Sequence, residues 1–385
     1  MKPLRVVVCP DSFKGSLSAA EVASAVADGV LDAAPDAVVT RLPMADGGEG
    51  TLDALLAVWG GEALFTETVD AIGRPTTARW AVSPDGHTAV VELAEASGLP
   101  GVADAPLQPL HAHTRGTGDL ALAALDAGVA EIILCLGGSA STDGGSGILT
   151  SLGARLLGTD GEQVPDGGEG LASVASLDLS GLHPRAREVR WRLAVDVTNP
   201  LVGEHGAAQV FGPQKGARDG TADYLDDALR HWAGVLLQET GVTVAELPGA
   251  GAAGGVPAGL IAVLGAETTP GAVLVAEAVG LPAALADADL VITGEGSFDS
   301  QSLGGKVADG VARLAAASPT RPPVVVLAGQ VLLPEAQARA AGIAAAFSIA
   351  PGPVDLDSLI SRTAPRLRDL AAAVTSLATA ARSAV

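Results

Sequence analysis

"LGGSASTDGGSG", Leu136–Gly147, follows the apolar run Ile132–Leu136 and holds five glycines, three serines, a threonine and one aspartate. A linker of that composition would be flexible coil. A glycine loop between a strand and a helix does something else: it turns backbone N–H groups at the helix N-terminus toward a negative charge. The residues that follow favour the second reading. Ile148, Leu149, Leu152 and Leu156 recur at near-helical spacing, and Gly158 stops the pattern. The stretch therefore reads as a buried strand, an anion-holding loop and an amphipathic helix, which is the repeating unit of an α/β fold.

Composition agrees with that class. The chain has 385 residues, enough for two domains or one large one. Hydrophobic residues make up 48% and aromatic residues only 3%, so the core must be aliphatic and rich in alanine. No apolar run reaches membrane-spanning length, and the apolar piece of "MKPLRVVVCPDS" is too short for a secretory signal. Cys9 and Cys135 each sit in a strand-like apolar run and read as small buried hydrophobes. These features give the expectation of a cytoplasmic protein with no membrane partner. The net charge of −21 argues against nucleic acid as a partner. An acidic chain that binds an anion needs local cations. Beyond the terminal Lys2, the lysines are Lys14, Lys215 and Lys306, all in glycine-bearing turns, whereas arginine carries the other positive charges.

The pattern outside the loop is β-α-β at both ends. "RVVVCP" (Arg5–Pro10) reads as a buried strand. Ser18 and Glu21 form a capping-box pattern before a helix whose inner face is Val22, Val26 and Val30. "AVVTRLP" (Ala37–Pro43) reads as a second strand, and Leu52, Leu55, Leu56 and Trp59 mark another helix. In the middle, "TTARWAVSPDGHTAVVELA" alternates on both sides of a Pro-Asp-Gly turn, as an antiparallel hairpin does. "EIILCLGG" and "WRLAVDVTNP" add strands there. From Asp289 the βα pattern returns through "DLVITGEG", a helix from about Lys306, "VVVLAG", a helix ending at Gly342, and "AAFSIAP". The fold class expected is α/β in two domains. One is a doubly wound, flavodoxin-like parallel sheet made by the chain ends (1–66 and 286–385). The other is an inserted α/β domain with a mixed sheet (67–285).

Four glycine-rich loops follow strands and carry acids or hydroxyls: "PDSFKGS" (Asp11, Ser12, Lys14), "MADGGEGT" (Asp46, Glu49, Thr51), "GGSASTDGG" (Ser139, Ser141, Thr142, Asp143) and "TGEGSFDSQSLGGK" (Glu295, Asp299, Lys306). Carboxylates suit Mg²⁺, lysines suit phosphate, and glycines let backbone approach a ligand. A Walker A motif and a GxSxG elbow are both absent from the sequence. "GAGAAG" (Gly249–Gly254) matches GxGxxG, but Pro248 interrupts the strand–turn register a dinucleotide site requires. Asp196 ends an apolar strand before the Asn199-Pro200 turn, where it either orients a substrate hydroxyl, binds metal or caps the turn.

"PDSFKGSLSA", "MADGGEGT", "GTGDLALAALDAG", "LGGSASTDGGSG", "DVTNPLVGEHGAAQVFGPQKGA", "PGAGAAGG" and "TGEGSFDSQSLGGK" occur in this order along nearly the whole chain. The set resembles the type I glycerate kinases, the bacterial glycerate 2-kinase family. The resemblance implies ATP-dependent phosphorylation of D-glycerate, most often at O2, with Mg²⁺. It also implies one flavodoxin-like and one restriction-enzyme-like domain. Three positions depart from the family's usual residues: Thr142, Ser297 and Gly304. On this reading Asp196, Lys14, Asp46 and Lys306 are the catalytic candidates, with Asp196 accepting or orienting the glycerate hydroxyl proton. Asp143 and Glu295 are the Mg²⁺ candidates. Asp11, Ser12, Gly47, Gly48, Glu49, Arg115, Gly137, Gly138, Ser139, Thr142, Gly144, Gly145, Asn199, Lys215, Gly294 and Asp299 are candidates for holding substrate or nucleotide, with Gly138–Gly145 cradling the ATP phosphates. The expected assembly is a monomer or homodimer. Two rival readings remain: a dinucleotide-dependent oxidoreductase using Gly249–Gly254, and a non-catalytic sugar-acid sensor.

Overall fold

The computed structural model describes residues 2–383. Its chain forms two compact units. The first contains the residues up to Asp46, Asp53–Gly60 and everything from Pro270 onward; the second contains Gly47–Leu52 and Gly61–Thr269.

The first unit is built on β1 (Arg5–Val8), β2 (Val38–Arg41), β11 (Leu290–Phe298), β12 (Val324–Val331) and β13 (Ile343–Ser348). All pairings are parallel, in the order β2-β1-β11-β12-β13. That is the flavodoxin-like strand order, and its direction reverses between β1 and β11. Helices cover both faces. On one side Val6 and Val8 pack with Val22, Val26 and Val30 of the helix Ala19–Ala33 and with Leu367 and Ala371 of the helix Thr363–Ser383. On the other, Phe298, Val326 and Ala328 pack with Ala308 and Ala312 of the helix Val307–Ala317. The helix Ala19–Ala33 begins with the expected capping box: the Glu21 N–H donates to the Ser18 hydroxyl, and the Glu21 carboxylate accepts from the Ser18 N–H.

The second unit holds β3 (Leu64–Val69), β4 (Pro75–Val82), β5 (Thr88–Glu92), β6 (Glu131–Cys135), β9 (Arg190–Ala194) and β10 (Glu267–Thr269). They form a mixed sheet in the order β10-β9-β6-β5-β4-β3. β4–β5 is the antiparallel hairpin that the pattern around Pro84-Asp85-Gly86 predicts; β3–β4 is also antiparallel, and the remaining pairs are parallel. A separate hairpin joins β7 (Arg155–Leu157) to β8 (Ser176–Asp178). The core is aliphatic apart from a few large rings, among them Trp191 and Trp232, which are fully buried.

Several local expectations give way. The helix after the quoted loop spans only Ser146–Ser151, because Gly153 takes φ +100° and Leu156 enters β7. "TGEG" is not a loop: β11 runs through it to Phe298, paired with β12 along its length. The boundaries expected at 66/67 and 285/286 also differ from the contact-based ones. β3 starts at Leu64 and pairs with β4. The segment from Pro270 packs into the first unit, where Gly310 sits against Ala272 so closely that an added Cβ would lie 3.2 Å from its methyl.

Candidate active site

The carboxyl ends of β1 and β11 meet where the strand order reverses, the position at which open α/β sheets bind ligands. The ladder continues past Val8: the Cys9 N–H donates to Ile292 O (2.9 Å) and the Asp11 N–H to Gly294 O (2.8 Å). Asp11 is thereby set beside Glu295. The Met44 N–H donates to Pro10 O (2.8 Å), which brings the segment after β2, with Asp46, to the same edge. Burial is the main cause that pushes the Asp11 carboxyl up to about 6, and the Asp46 carboxylate adds to it; the Ser12 N–H and Lys14 oppose. Burial likewise raises Glu295 to about 7, with Asp11 and Asp299 adding and the Ser302 hydroxyl and Lys306 opposing. Glu295 Oε1 is buried and has no hydrogen-bond partner among the described residues. This edge thus carries carboxyls whose proton affinity burial raises above the ordinary range.

The other candidates of this unit divide. Lys14 is exposed and Lys306 half-buried; both act on the carboxylates just named. Ser12 donates its N–H to Asp11 Oδ1 (2.6 Å). Asp299 caps the short turn Ser300–Leu303, accepting from the Gln301 N–H (2.9 Å), so it shapes the approach to Lys306. Gly294 is a packing residue: a Cβ there would stand 2.3 Å from Leu327 O.

The loop that opened the sequence does hold an anion, and the anion is its own Asp143. That carboxylate is fully buried. It accepts from the Thr114 N–H (2.8 Å) and hydroxyl (2.7 Å), from the Gly145 N–H (3.3 Å) and from the Gly147 N–H (3.2 Å). With those four donors in place Asp143 ties the starts of two helices together and is not placed as a Mg²⁺ ligand. The expected cradle Gly138–Gly145 is corrected for the same reason: Ser139–Gly147 are all buried, and Gly137 and Gly138 alone of the loop reach solvent. Gly144 lies under Trp232, whose indole N–H donates to Gly144 O (3.1 Å).

Lys215 is also interior, 2% exposed. Its ammonium donates to Ser139 Oγ (2.7 Å) and Ser141 O (2.5 Å). Burial lowers it to about 7, and the nearby Asp143 charge opposes that shift. Arg115 is engaged by Asp166 through Nε (2.8 Å). The Asn199 amide donates to His205 O (2.8 Å) and closes the loop it starts. Asp196 is exposed, two residues beyond the end of β9. The glycines of "GAGAAG" serve close packing: a Cβ on Gly251 would lie 2.1 Å from Pro200 O, and one on Gly254 2.1 Å from Ser141 O. No strand precedes this loop, so the dinucleotide reading lacks its required context. What stays open in this unit is the junction of Gly48 and Glu49 with Gly137 and Gly138, while the neighbouring Gly47 is buried. There a Cβ on Gly137 would lie 2.6 Å from Gly48 Cα, and Gly47 and Gly138 take φ of +82° and +74°. Sequence reasoning missed Thr114, Asp166 and Trp232. Thr114 could have been found as the polar residue standing just before the helix Arg115–Asp126.

Among the described residues no group of three or more His, Cys, Asp or Glu side chains is disposed to hold a metal ion by itself. Mg²⁺ in kinases commonly takes one or two carboxylates and completes its shell with phosphates and water. Asp11 and Asp46, two oxygen donors that repel each other across a partly buried edge, fit that donor set.

The model of the glycerate kinase family matches residues 6–379. The glycerate 2-kinase of Escherichia coli K12 is 44% identical over 346 residues, covering 90% of each chain. The glycerate kinase of Bacillus subtilis 168 is 43% identical over 375 residues, covering 96% of this chain and 98% of that one. A solved structure from Salmonella typhimurium LT2, provisionally assigned as glycerate kinase 2, superposes with a TM-score of 0.90 at 41% identity and covers 99% of this chain and all of its own. The fold and site thus define a phosphotransferase on two α/β units. The chain belongs to the glycerate kinase family. No described helix is long and apolar enough to cross a membrane.

Proposed function

We propose that the protein transfers the γ-phosphoryl group of ATP to O2 of D-glycerate in the presence of Mg²⁺. The observation that carries this reading is the carboxyl cluster at the strand-order reversal, where Asp11, Asp46 and Glu295 gather with Lys14 and Lys306 around an unsatisfied buried oxygen. Phosphoryl transfer passes through a loose transition state, so the protein's work is positioning and charge neutralisation. Asp11 and Asp46 would hold Mg²⁺, which when bound neutralises phosphate charge. Lys14 and Lys306 are compact cations suited to phosphate oxygens or the glycerate carboxylate. The attacking hydroxyl must release a proton, and the best acceptor has a proton affinity near the working pH. Glu295 meets that condition, so it takes the base role. Asp196, exposed beyond β9, is left to orient a substrate hydroxyl. The accessible backbone of Gly48, Gly137 and Gly138, where no side chain fits at Gly137, is the phosphate cradle of the second unit.

The test is turnover with ATP, Mg²⁺ and D-glycerate, read through enolase. Signal without a phosphoglycerate mutase supports transfer to O2. Signal that appears only after mutase is added overturns the O2 assignment, and no ADP formation overturns the kinase reading.

A further inference from the structure

The Ser139–Gly145 loop is clamped from every side. Leu99 donates its N–H to Gly138 O (2.8 Å), the Ala140 N–H reaches Ser97 O (3.0 Å), and the Gly144 N–H reaches Gly254 O (3.0 Å). Asp143 anchors its far end through four donors. Beneath the near end lies Lys215. An ammonium is among the costliest groups to take out of water, and a lysine used only to fill space would be matched by leucine or methionine at no such cost. Burial lowers the proton affinity of this ammonium, in keeping with that cost. It is spent on two acceptors of one short segment, Ser139 Oγ and Ser141 O. Lys215 itself is locked in place: it closes the turn Pro213–Lys215, and Gly216 after it takes φ +97° at a point where an added Cβ would lie 2.7 Å from Leu107, so no other residue fits the turn.

We infer that Lys215 is a positioning residue: from inside the second unit it fixes the Ser139–Ser141 backbone, and through it the accessible Gly137–Gly138 edge, without itself touching nucleotide. This rests on the reading of that edge as the phosphate cradle. It differs from the expectation, drawn from family resemblance, that Lys215 is a substrate ligand. Chemically, a point charge with two fixed acceptors restrains the loop more firmly than apolar packing does. A carbonyl at 2.5 Å from the ammonium cannot rotate without abandoning that contact. The Ser141 and Thr142 hydroxyls are buried with no partner among the described residues, so they cannot supply the restraint.

Trp232 offers a local reporter, because its indole N–H donates to Gly144 O in the same loop. The experiment compares the full-length wild type, Lys215→Met, Ser139→Ala and the double variant. The indole N–H resonance is assigned with Trp232→Phe and followed without ligand, beside kcat and KM for ATP. Lys215→Met should shift the Trp232 resonance in the free protein. Misplacement of a reacting group by about 1 Å can cost roughly 100-fold, so kcat should fall about 10- to 100-fold while KM for ATP moves much less. Ser139→Ala should give a smaller shift in the same direction and add little to Lys215→Met. An unmoved Trp232 resonance with a KM for ATP raised about tenfold or more would show a direct nucleotide ligand and overturn the inference. Unchanged resonance and unchanged kinetics would show a mere filler and overturn it as well. If Lys215→Met does not fold, Ser139→Ala decides: no change in resonance or kcat defeats the inference. A wild type without glycerate-dependent turnover would sink the functional reading alone, because the resonance comparison does not depend on turnover.

Discussion

Two regions of the molecule, one in each unit, treat their buried charges in opposite ways. In the glycine loop of the second unit every interior charge is satisfied: Asp143 by four donors, Lys215 by two acceptors. At the edge of β1 and β11 the charges are only partly satisfied. Asp11 and Glu295 sit partly buried near other carboxylates, both with raised proton affinity, and one Glu295 oxygen has no partner among the described residues. Satisfied charges build scaffold. Unsatisfied ones cost stability, and a fold tolerates that cost where a ligand will supply the missing partner. The richer motif in the sequence is therefore the place whose charges the fold has already paired.

Three substitutions probe that contrast. Glu295→Gln keeps the shape and removes the proton acceptor, and general bases contribute about 10²–10⁴-fold, so kcat should fall within that range with KM for ATP little changed. A near-normal kcat would show that the edge is not reactive. Gly137→Ala in the second unit tests the cradle. The new methyl would meet Gly48 Cα, a backbone atom that cannot swing aside. KM for ATP should rise about tenfold, with an overpacking cost on the order of 1–3 kcal/mol in denaturant unfolding. Unaltered ATP saturation would remove the cradle from the site. Asp196→Asn should have a smaller effect, about tenfold in kcat, as orientation of a hydroxyl without proton transfer requires. A loss as large as that of Glu295→Gln would reverse the two roles.

Much of the architecture was legible from periodicity. The capping box at Ser18, the valine stripe of the helix Ala19–Ala33, the central hairpin and the βα return near Asp289 are all present. These are local signals, fixed by neighbours a few residues apart. What was not legible depends on distant partners. Nothing in "GPQKGA" says that Lys215 folds inward, because its acceptors lie 76 and 74 residues away. Nothing in "STDGG" says that Thr114 will consume the aspartate. The glycines of "GAGAAG" make a weak dinucleotide match in sequence, and their role in close packing shows only once Ser141 and Pro200 are seen against them. The sequence therefore shows where polar and charged residues cluster, but not which of them the fold pairs in its interior.

The smallest expected effect is also the most specific to the contrast, because the two regions should pull stability in opposite directions with pH. Asp11 and Glu295 have proton affinities raised from ordinary carboxylate values to about 6 and about 7. Between roughly pH 4 and 7 the folded chain thus binds more protons at these groups than the unfolded chain does, so stability falls as pH rises through that window. Lys215 is lowered from 10.5 to about 7. Between about pH 7 and 10.5 the unfolded chain binds the extra proton there, so this group makes stability rise with pH. Each pKa unit is worth about 1.4 kcal/mol, so the shifts correspond at most to about 3 kcal/mol for each carboxyl and about 5 kcal/mol for Lys215, read as several degrees in Tm. Glu295→Gln should flatten part of the acid-side decline and raise Tm above wild type at pH 7.5. Lys215→Met should remove the alkaline rise and leave the acid side as it was. Thermal unfolding of the three proteins from pH 5 to 10 measures both slopes. A Glu295→Gln variant no more stable than wild type at pH 7.5 would mean that the carboxyl is already satisfied in the free protein, and the distinction between the two regions would fail at its reactive end.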